Sequence, residues 1–332
     1  MVPMAASVTF ALGLAFALVL ALGAVEPAQL LLPGSASDSA PLLAADFPDY
    51  KMHRHGGYDG QQYYAIAATL PGLSDATPYL DAPRYRLERI LAPAIASLAP
   101  RGAPTVLVLL ALNVLGTGLA CGAVAELCTT RGWNPRLGLV ALPPLLVALA
   151  TSCIDPMATG LALGGLVLVE RRRYVAAALL LGAGALTREG VAFLIAGIAL
   201  AVLLEVRSWR GPLVLASSVL PLAAWHWYLS VEVGGTFQSK VALLAIRERP
   251  LGAALLTLGC FGVCTYGAYA WRHRPAIAAV CVITAVQIPF FAPDILDWAA
   301  LPRVTAVGLS LGLAALGAPI LRRVRSPALT VA

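Results

Sequence analysis

PTVLVLLALNVLGTGLACGAVAEL, Pro104 to Leu127, is the stretch on which the fold reading turns. Its only charged residue, Glu126, stands near one end. As a helix rising about 1.5 Å per residue it is long enough to cross a ~30 Å hydrocarbon core. Runs of similar character recur at 5–25, 137–153, 156–169, 174–186, 190–204, 212–229, 251–271, 276–292 and 303–321. The 332 residues are 59% hydrophobic and 12% charged, with mean hydropathy +0.81. This balance predicts an all-α polytopic transmembrane bundle of about ten helices, organised as one transmembrane domain spanning the chain.

The charge pattern supplies a topology. The net charge is +6 and the pI about 9.1, but the arginines fall in short clusters between apolar runs, which argues against a nucleic-acid partner and for positive-inside signals. Counting from a cytoplasmic N-terminus puts Arg131 and Arg136, Arg171 to Arg173, Arg207 and Arg210, Arg272 and Arg274, and Arg322, Arg323 and Arg325 inside, with 322–332 as a cytoplasmic tail. The outer loops then hold fewer basic residues: Arg188, Lys240, Arg247, Arg249 and Arg303. No Lys or Arg precedes Lys51, so the run at 5–25 lacks the basic flank of a signal peptide and reads as an uncleaved helix in the plasma membrane. The six cysteines lie in or beside apolar runs without metal-ligand spacing and read as packing residues.

Residues 26–103 are the one long polar segment, expected on the extracytoplasmic side. It opens with the flexible PGSASDSAP and carries two helical stretches, about 59–70 and 83–99. In the second, Leu87, Ile90, Leu91, Ala94, Ile95 and Leu98 share a face, with Arg84, Arg86 and Arg89 away from its centre, so both stretches are expected as interfacial helices. The runs 156–169, 174–186 and 190–204 are short for a full crossing, which predicts that Asp155 and the turn Thr187-Arg188-Glu189 sink into a polar depression at the outer surface.

The most informative polar string is HRHGGYDGQQYY, His53 to Tyr64. Asp59 follows a glycine turn and opens a helix; it reads either as a helix cap or as a positioned base. GYDGQQYY, then APRYRLERILAPAIASLA, TSCIDPMATGLALGGL and ALTREGVAFL, in that order over residues 56 to about 200, resembles the multi-spanning C-type glycosyltransferase superfamily, in particular actinobacterial-type members with a GYDGQxYY loop and a TRE turn.

That resemblance implies a membrane enzyme moving a sugar from a polyprenyl-phosphate donor to an envelope glycopolymer, glycolipid or protein on the outer side, with the lipid bilayer as its medium. Asp59 becomes the base that deprotonates the acceptor hydroxyl, and Arg188 the first candidate to hold the leaving phosphate. Arg84, Arg86 and Arg89 are interfacial alternatives, and Tyr58, Gln61, Tyr63, Asp155 and Glu189 complete the expected substrate site. Each has a plainer reading: Arg188 paired with Glu189 or Asp155, the three arginines on headgroups, Asp155-Pro156 as a helix start. His53 and His55 form an HxH pair able to contribute to a divalent metal site, with no cofactor required. Trp225 to Tyr228 read as an aromatic belt or a sugar platform, and Asp294, Asp297 and Arg303 as cavity or loop residues. The rival functions are a transporter or flippase of a lipid-linked sugar and a non-catalytic assembly subunit.

Overall fold

Backbone chemistry decides how the apolar runs fold. The run at 137–153 contains Pro143 and Pro144, whose rings remove amide donors, and it breaks into 3-10 turns at Pro135–Ala141 and Pro143–Leu145 and a single helical turn and a half, Leu146–Ala150. Pro104 and Pro156, by contrast, stand in the first turns of long helices, where no amide donor is lost. The computed structural model describes residues 26–150, 152–234, 251–288 and 305–324, with Gly13 alone from the N-terminal stretch. The expected span 5–25 and the residues Lys240, Arg247, Arg249, Asp294, Asp297 and Arg303 lie outside the described residues, as does most of the tail at 322–332.

The described chain is all-α, apart from one isolated bridge between Gly34 and His53. Helices α1 (Ala40–Asp46), α2 (Asp59–Thr69), α3 (Leu73–Ala76), α4 (Pro83–Leu87) and α5 (Leu91–Ala96) form an N-terminal layer. The long α6 (Ala103–Thr130) follows, then α7 (Leu146–Ala150), α8 (Asp155–Glu170), α9 (Tyr174–Thr187), α10 (Val191–Val206), α11 (Arg210–Ser217) and α12 (Leu220–Glu232). Three further helices, α13 (Leu251–Ala270), α14 (Pro275–Gln287) and α15 (Ala306–Val324), pack together as a sheaf.

Helix α8 is the hub: it lies between α6 and α9 and is buried almost all round. Glycine makes that possible. A Cβ on Gly116 of α6 would stand 2.4 Å from the Met157 Cα, and one on Gly160 of α8 would stand 2.2 Å from the Gly116 carbonyl oxygen. The two backbones therefore touch, which fixes the start of α8 and the position of Asp155. The main core gathers Cys121, Leu127, Leu163, Leu166, Leu181, Ile195, Ile198, Trp271 and Ile277. A second core, with Leu31, Leu43, Tyr63, Ile66, Leu87, Leu109 and Ile154, seats the N-terminal layer on α6.

The expectation of a ten-helix transmembrane bundle with interfacial helices is corrected here. Among the described residues two helical stretches, Ala103–Thr130 and Arg210–Glu232, are long and apolar enough to cross a membrane. The 16 residues of α8 and of α10 reach only about 24 Å, and the 14 of α9 about 21 Å. The stretch at 83–99 is not an interfacial helix either. It divides into α4 and α5, and Arg84, Arg86 and Arg89 turn inward to 7%, 6% and 1% exposure. Their charges are met by carboxylates of the same layer and of the α9–α10 turn, which removes the need for solvent or headgroups.

The arginine clusters read as topology signals also make specific bonds between helix ends. Arg131 donates to the Ala270 carbonyl at 2.8 Å and lies over Trp133 and Trp271, Arg171 pairs with Glu126 at 2.5 Å, and Arg274 pairs with Glu170 at 3.1 Å. Apolar side chains exceed what the interior holds. Val175, Leu179, Phe193, Leu200, Leu204, Trp227, Leu255 and Leu258 face outward.

Candidate functional site

Residues 81–89, the start of α2, the α9–α10 turn and one face of α12 bring a set of charged groups together under the N-terminal layer. Helix α2 begins at Asp59 itself, with Tyr58 in extended backbone before it. The preceding loop is pinned by Gln61. Its Oε1 accepts from the Gly34 amide at 3.1 Å and its Nε2 donates to the Gly56 carbonyl at 2.6 Å. Gly57, at φ 73°, supplies a left-handed turn that side chains rarely adopt, and a Cβ there would stand 2.6 Å from the Gly34 nitrogen.

Arg86 reaches two carboxylates. Its Nε and Nη2 donate to Asp81 at 2.8 Å each, and its Nη1 donates to Asp59 Oδ1 at 2.8 Å. Burial works against the Arg86 charge, but the Asp81 hydrogen bonds and the Asp59 charge more than offset it, holding its pKa above the ordinary value. The same fork, countering burial, holds Asp81 below its ordinary value.

Arg89 is more deeply placed and fully used. Nε donates to Glu189 Oε2 at 2.9 Å, Nη2 donates to Glu189 Oε1 at 2.8 Å and to the Tyr85 hydroxyl, and Nη1 donates to the Tyr63 hydroxyl at 3.0 Å. The guanidinium also stacks on the Tyr85 ring, 4.3 Å from its centre. Burial would raise the Glu189 pKa, but Arg89 outweighs it and brings the carboxyl down to about 2. Arg188, next in the turn, binds Asp155 through Nη1 and Oδ1, so the sunken charges of the α9–α10 turn form pairs.

Arg84 and Glu88 differ from their neighbours. Arg84 Nη2 donates to the His226 carbonyl at 2.7 Å and to the Ser230 hydroxyl at 3.0 Å, both on α12, while Nε and Nη1 are buried without a hydrogen-bond partner. Glu88, 1% exposed, has no hydrogen bond to either carboxylate oxygen; its Oε1 lies 3.8 Å from Arg84 Nε. Burial, then the Glu189 charge, push its pKa up to about 7 against the pull of Arg84 and Arg89. The His226 imidazole is held below its ordinary value by burial and by Arg84. Trp225 fastens α12 over this spot by donating from Nε1 to the Leu87 carbonyl at 2.8 Å.

The structure therefore brings Asp59, Tyr63, Arg84, Arg86, Arg89, Asp155, Arg188 and Glu189 into one layer, with Tyr58 at its edge. Sequence reasoning missed Asp81, Tyr85, Glu88 and Ser230, and read His226 only as part of an aromatic belt or sugar platform. Arg84 and Glu88 are four apart on a helical stretch, the one signal that pointed to Glu88; Ser230 is far off in sequence and carried none. His53 Nε2 lies 3.4 Å from the Tyr50 hydroxyl and His55 is exposed. Among the described residues no three His, Cys, Asp or Glu side chains converge as a metal site.

The chain matches no protein-family model, no curated protein and no solved structure. The resemblance to C-type glycosyltransferases is accordingly corrected, since neither a family match nor a ten-span bundle sustains it. With it go the polyprenyl-phosphate donor, the envelope acceptor, the bilayer as partner, the plasma-membrane topology with its outer-side chemistry, and the transporter and assembly-subunit rivals. The motifs that carried the resemblance have a local explanation: in GYDGQQYY, RYRLER and TRE they supply partners for one buried ion-pair layer.

Proposed function

We propose that this chain is an acid–base catalyst in which the Glu88 carboxyl transfers the proton and Arg84 holds the anionic part of a small polar substrate. What carries the reading is a buried carboxyl with no hydrogen bond, 3.8 Å from a buried guanidinium whose Nε and Nη1 also lack hydrogen-bond partners. Buried polar atoms are almost always bonded, so unbonded ones ask for a reason. A carboxyl with a pKa of about 7 is matched to giving and taking protons at neutral pH. Arg84 Nε and Nη1 each keep N–H groups without a hydrogen-bond partner, and a charged guanidinium donor bonds carboxylate or phosphate oxygens strongly. Helix α12, which buries only Leu222 and Leu229, is the cover whose displacement admits the substrate.

The test is turnover. Wild type, Glu88→Gln and Arg84→Gln are incubated with a panel of small carboxylates and phosphate esters, and products are read by mass spectrometry. For a substrate that reacts, Glu88→Gln is expected to lose about 100-fold or more in kcat with KM little changed, while Arg84→Gln raises KM. The wild-type pH profile should break near 7. Failure of the wild type across the panel, or equal turnover by Glu88→Gln, removes the proposal.

A further inference from the structure

At the opposite end of α9 from the charged layer, about 21 Å away along its 14 residues, a second site has a different character. An open cavity of about 550 Å³ lies between the start of α9 and the start of α11, lined by Arg172, Arg173, Tyr174, Leu179, Arg210 and Val214 among others. No acidic residue lines it. The three arginines are exposed, and among the described residues none makes an ion pair or a side-chain hydrogen bond. They differ in this from Arg131, Arg171 and Arg274, which are tied to other helices. Two helices begin here, at Tyr174 and Arg210, and neither has a side-chain cap, so both positive ends reinforce the arginines.

The groove is shaped as well as charged. Gly211 lets the Tyr174 ring lie against α11: a Cβ there would stand 2.9 Å from the ring. The floor, Val175, Leu179 and Val214, is apolar. Arg172 holds φ 58° in the turn that ends α8, with the Arg172 amide on the Val169 carbonyl at 2.8 Å and the Arg173 amide on Leu168 at 2.9 Å. This turn sends the chain directly from α8 into α9 and sets both arginines at the groove mouth.

We infer that this groove binds a small organic anion, a phosphate or carboxylate head on an apolar body, with Arg172, Arg173 and Arg210 on the head and Leu179 and Val214 under the body. The apolar floor discriminates against a bare ion, and the lack of any acid in the lining discriminates against cations. The inference stands apart from the acid–base proposal because it uses none of the same residues.

Calorimetric titration of the full chain with phenyl phosphate, octyl phosphate and inorganic phosphate tests it. Phenyl or octyl phosphate is expected to bind at least tenfold more tightly than inorganic phosphate, with affinity falling as salt rises. Arg173→Gln with Arg210→Gln should lose at least tenfold for all three ions. Leu179→Gln should weaken only the two organic phosphates. Circular dichroism of each variant confirms that helix content is retained, and binding of phenyl phosphate to Glu88→Gln should equal that of the wild type. Equal affinity for the organic and inorganic ions, no binding by the wild type, or full binding by the folded double arginine variant overturns the inference.

Discussion

The charged layer under residues 81–89 and the α13–α15 sheaf solve the same problem, holding helices together, with opposite chemistry. In the layer, Arg84, Arg86, Glu88, Arg89 and Asp155 are buried, and all but Glu88 are held by directed bonds to neighbouring groups. In the sheaf no charged side chain is buried among the described residues. Its buried polar groups are hydroxyls such as Thr284, which donates to its own helix at the Val280 carbonyl. The sheaf closes instead by backbone approach, since a Cβ on Gly312 would stand 2.4 Å from the Val263 carbonyl oxygen. Directed pairs specify where each partner sits and leave a group exposed to consequence when one is missing. Shape fit tolerates chemistry but not volume. This is why the proposed chemistry is placed in the first region.

The largest blow to that contrast should come from Arg89→Met. It strips the partly exposed Glu189 of both guanidinium bonds and empties a buried arginine site, and a loss of about 2 to 3 kcal/mol is expected from urea unfolding at pH 7. The sign against pH follows from the depressed Glu189 pKa. Its contribution is complete above the ordinary carboxylate value of 4.5 and is lost as pH falls toward about 2, so the deficit of the variant should shrink on acidification.

Glu88→Gln sharpens the contrast from the other side. A carboxyl raised from 4.5 to about 7 keeps its proton in the folded state while the unfolded chain ionises, so stability falls as pH rises between those values and levels above 7. The variant should lack that decline and gain on wild type by about 2 to 3 kcal/mol between pH 4.5 and 8, measured as the shift in urea midpoint. A parallel pH dependence in both proteins would show that Glu88 is not the titrating group.

In the sheaf, Gly312→Ala should cost about 1 to 3 kcal/mol, through crowding alone and independent of pH. The smallest effect is expected at the rim of the N-terminal layer. Arg101, whose side chain is 47% exposed, pairs with Asp46 at 2.7 Å, and Arg101→Ala should change stability by less than about 1 kcal/mol, less still at high salt.

Helix positions were largely legible, because apolar runs bounded by arginines and prolines mark helices whatever surrounds them. Pro104–Leu127 became α6 and the runs at 156–169, 174–186 and 190–204 became α8, α9 and α10 nearly residue for residue. What those helices face was not legible. An arginine at the end of an apolar run looks the same whether it flanks a membrane or, like Arg274, meets Glu170 from another helix. Parts of the site were visible as motifs, with Asp59, Arg188 and Glu189 singled out by their odd settings. Glu88 was hidden, because nothing local distinguishes a carboxylate that will be bonded from one that will be left bare.

The sequence by itself determined the helical character of the apolar runs, which follows from residue type and spacing along the chain, whereas the break of the 137–153 run at Pro143-Pro144 and the close glycine contacts came into view only with the structure. Only the tertiary structure decided that Arg89 would meet Glu189 across 100 residues, that Arg84 would spend itself on α12, and that Glu88 would remain without a hydrogen bond. Partnership between charges is a property of distance in space. Two turns with no relation along the chain acquire it only when the helices beneath them have packed.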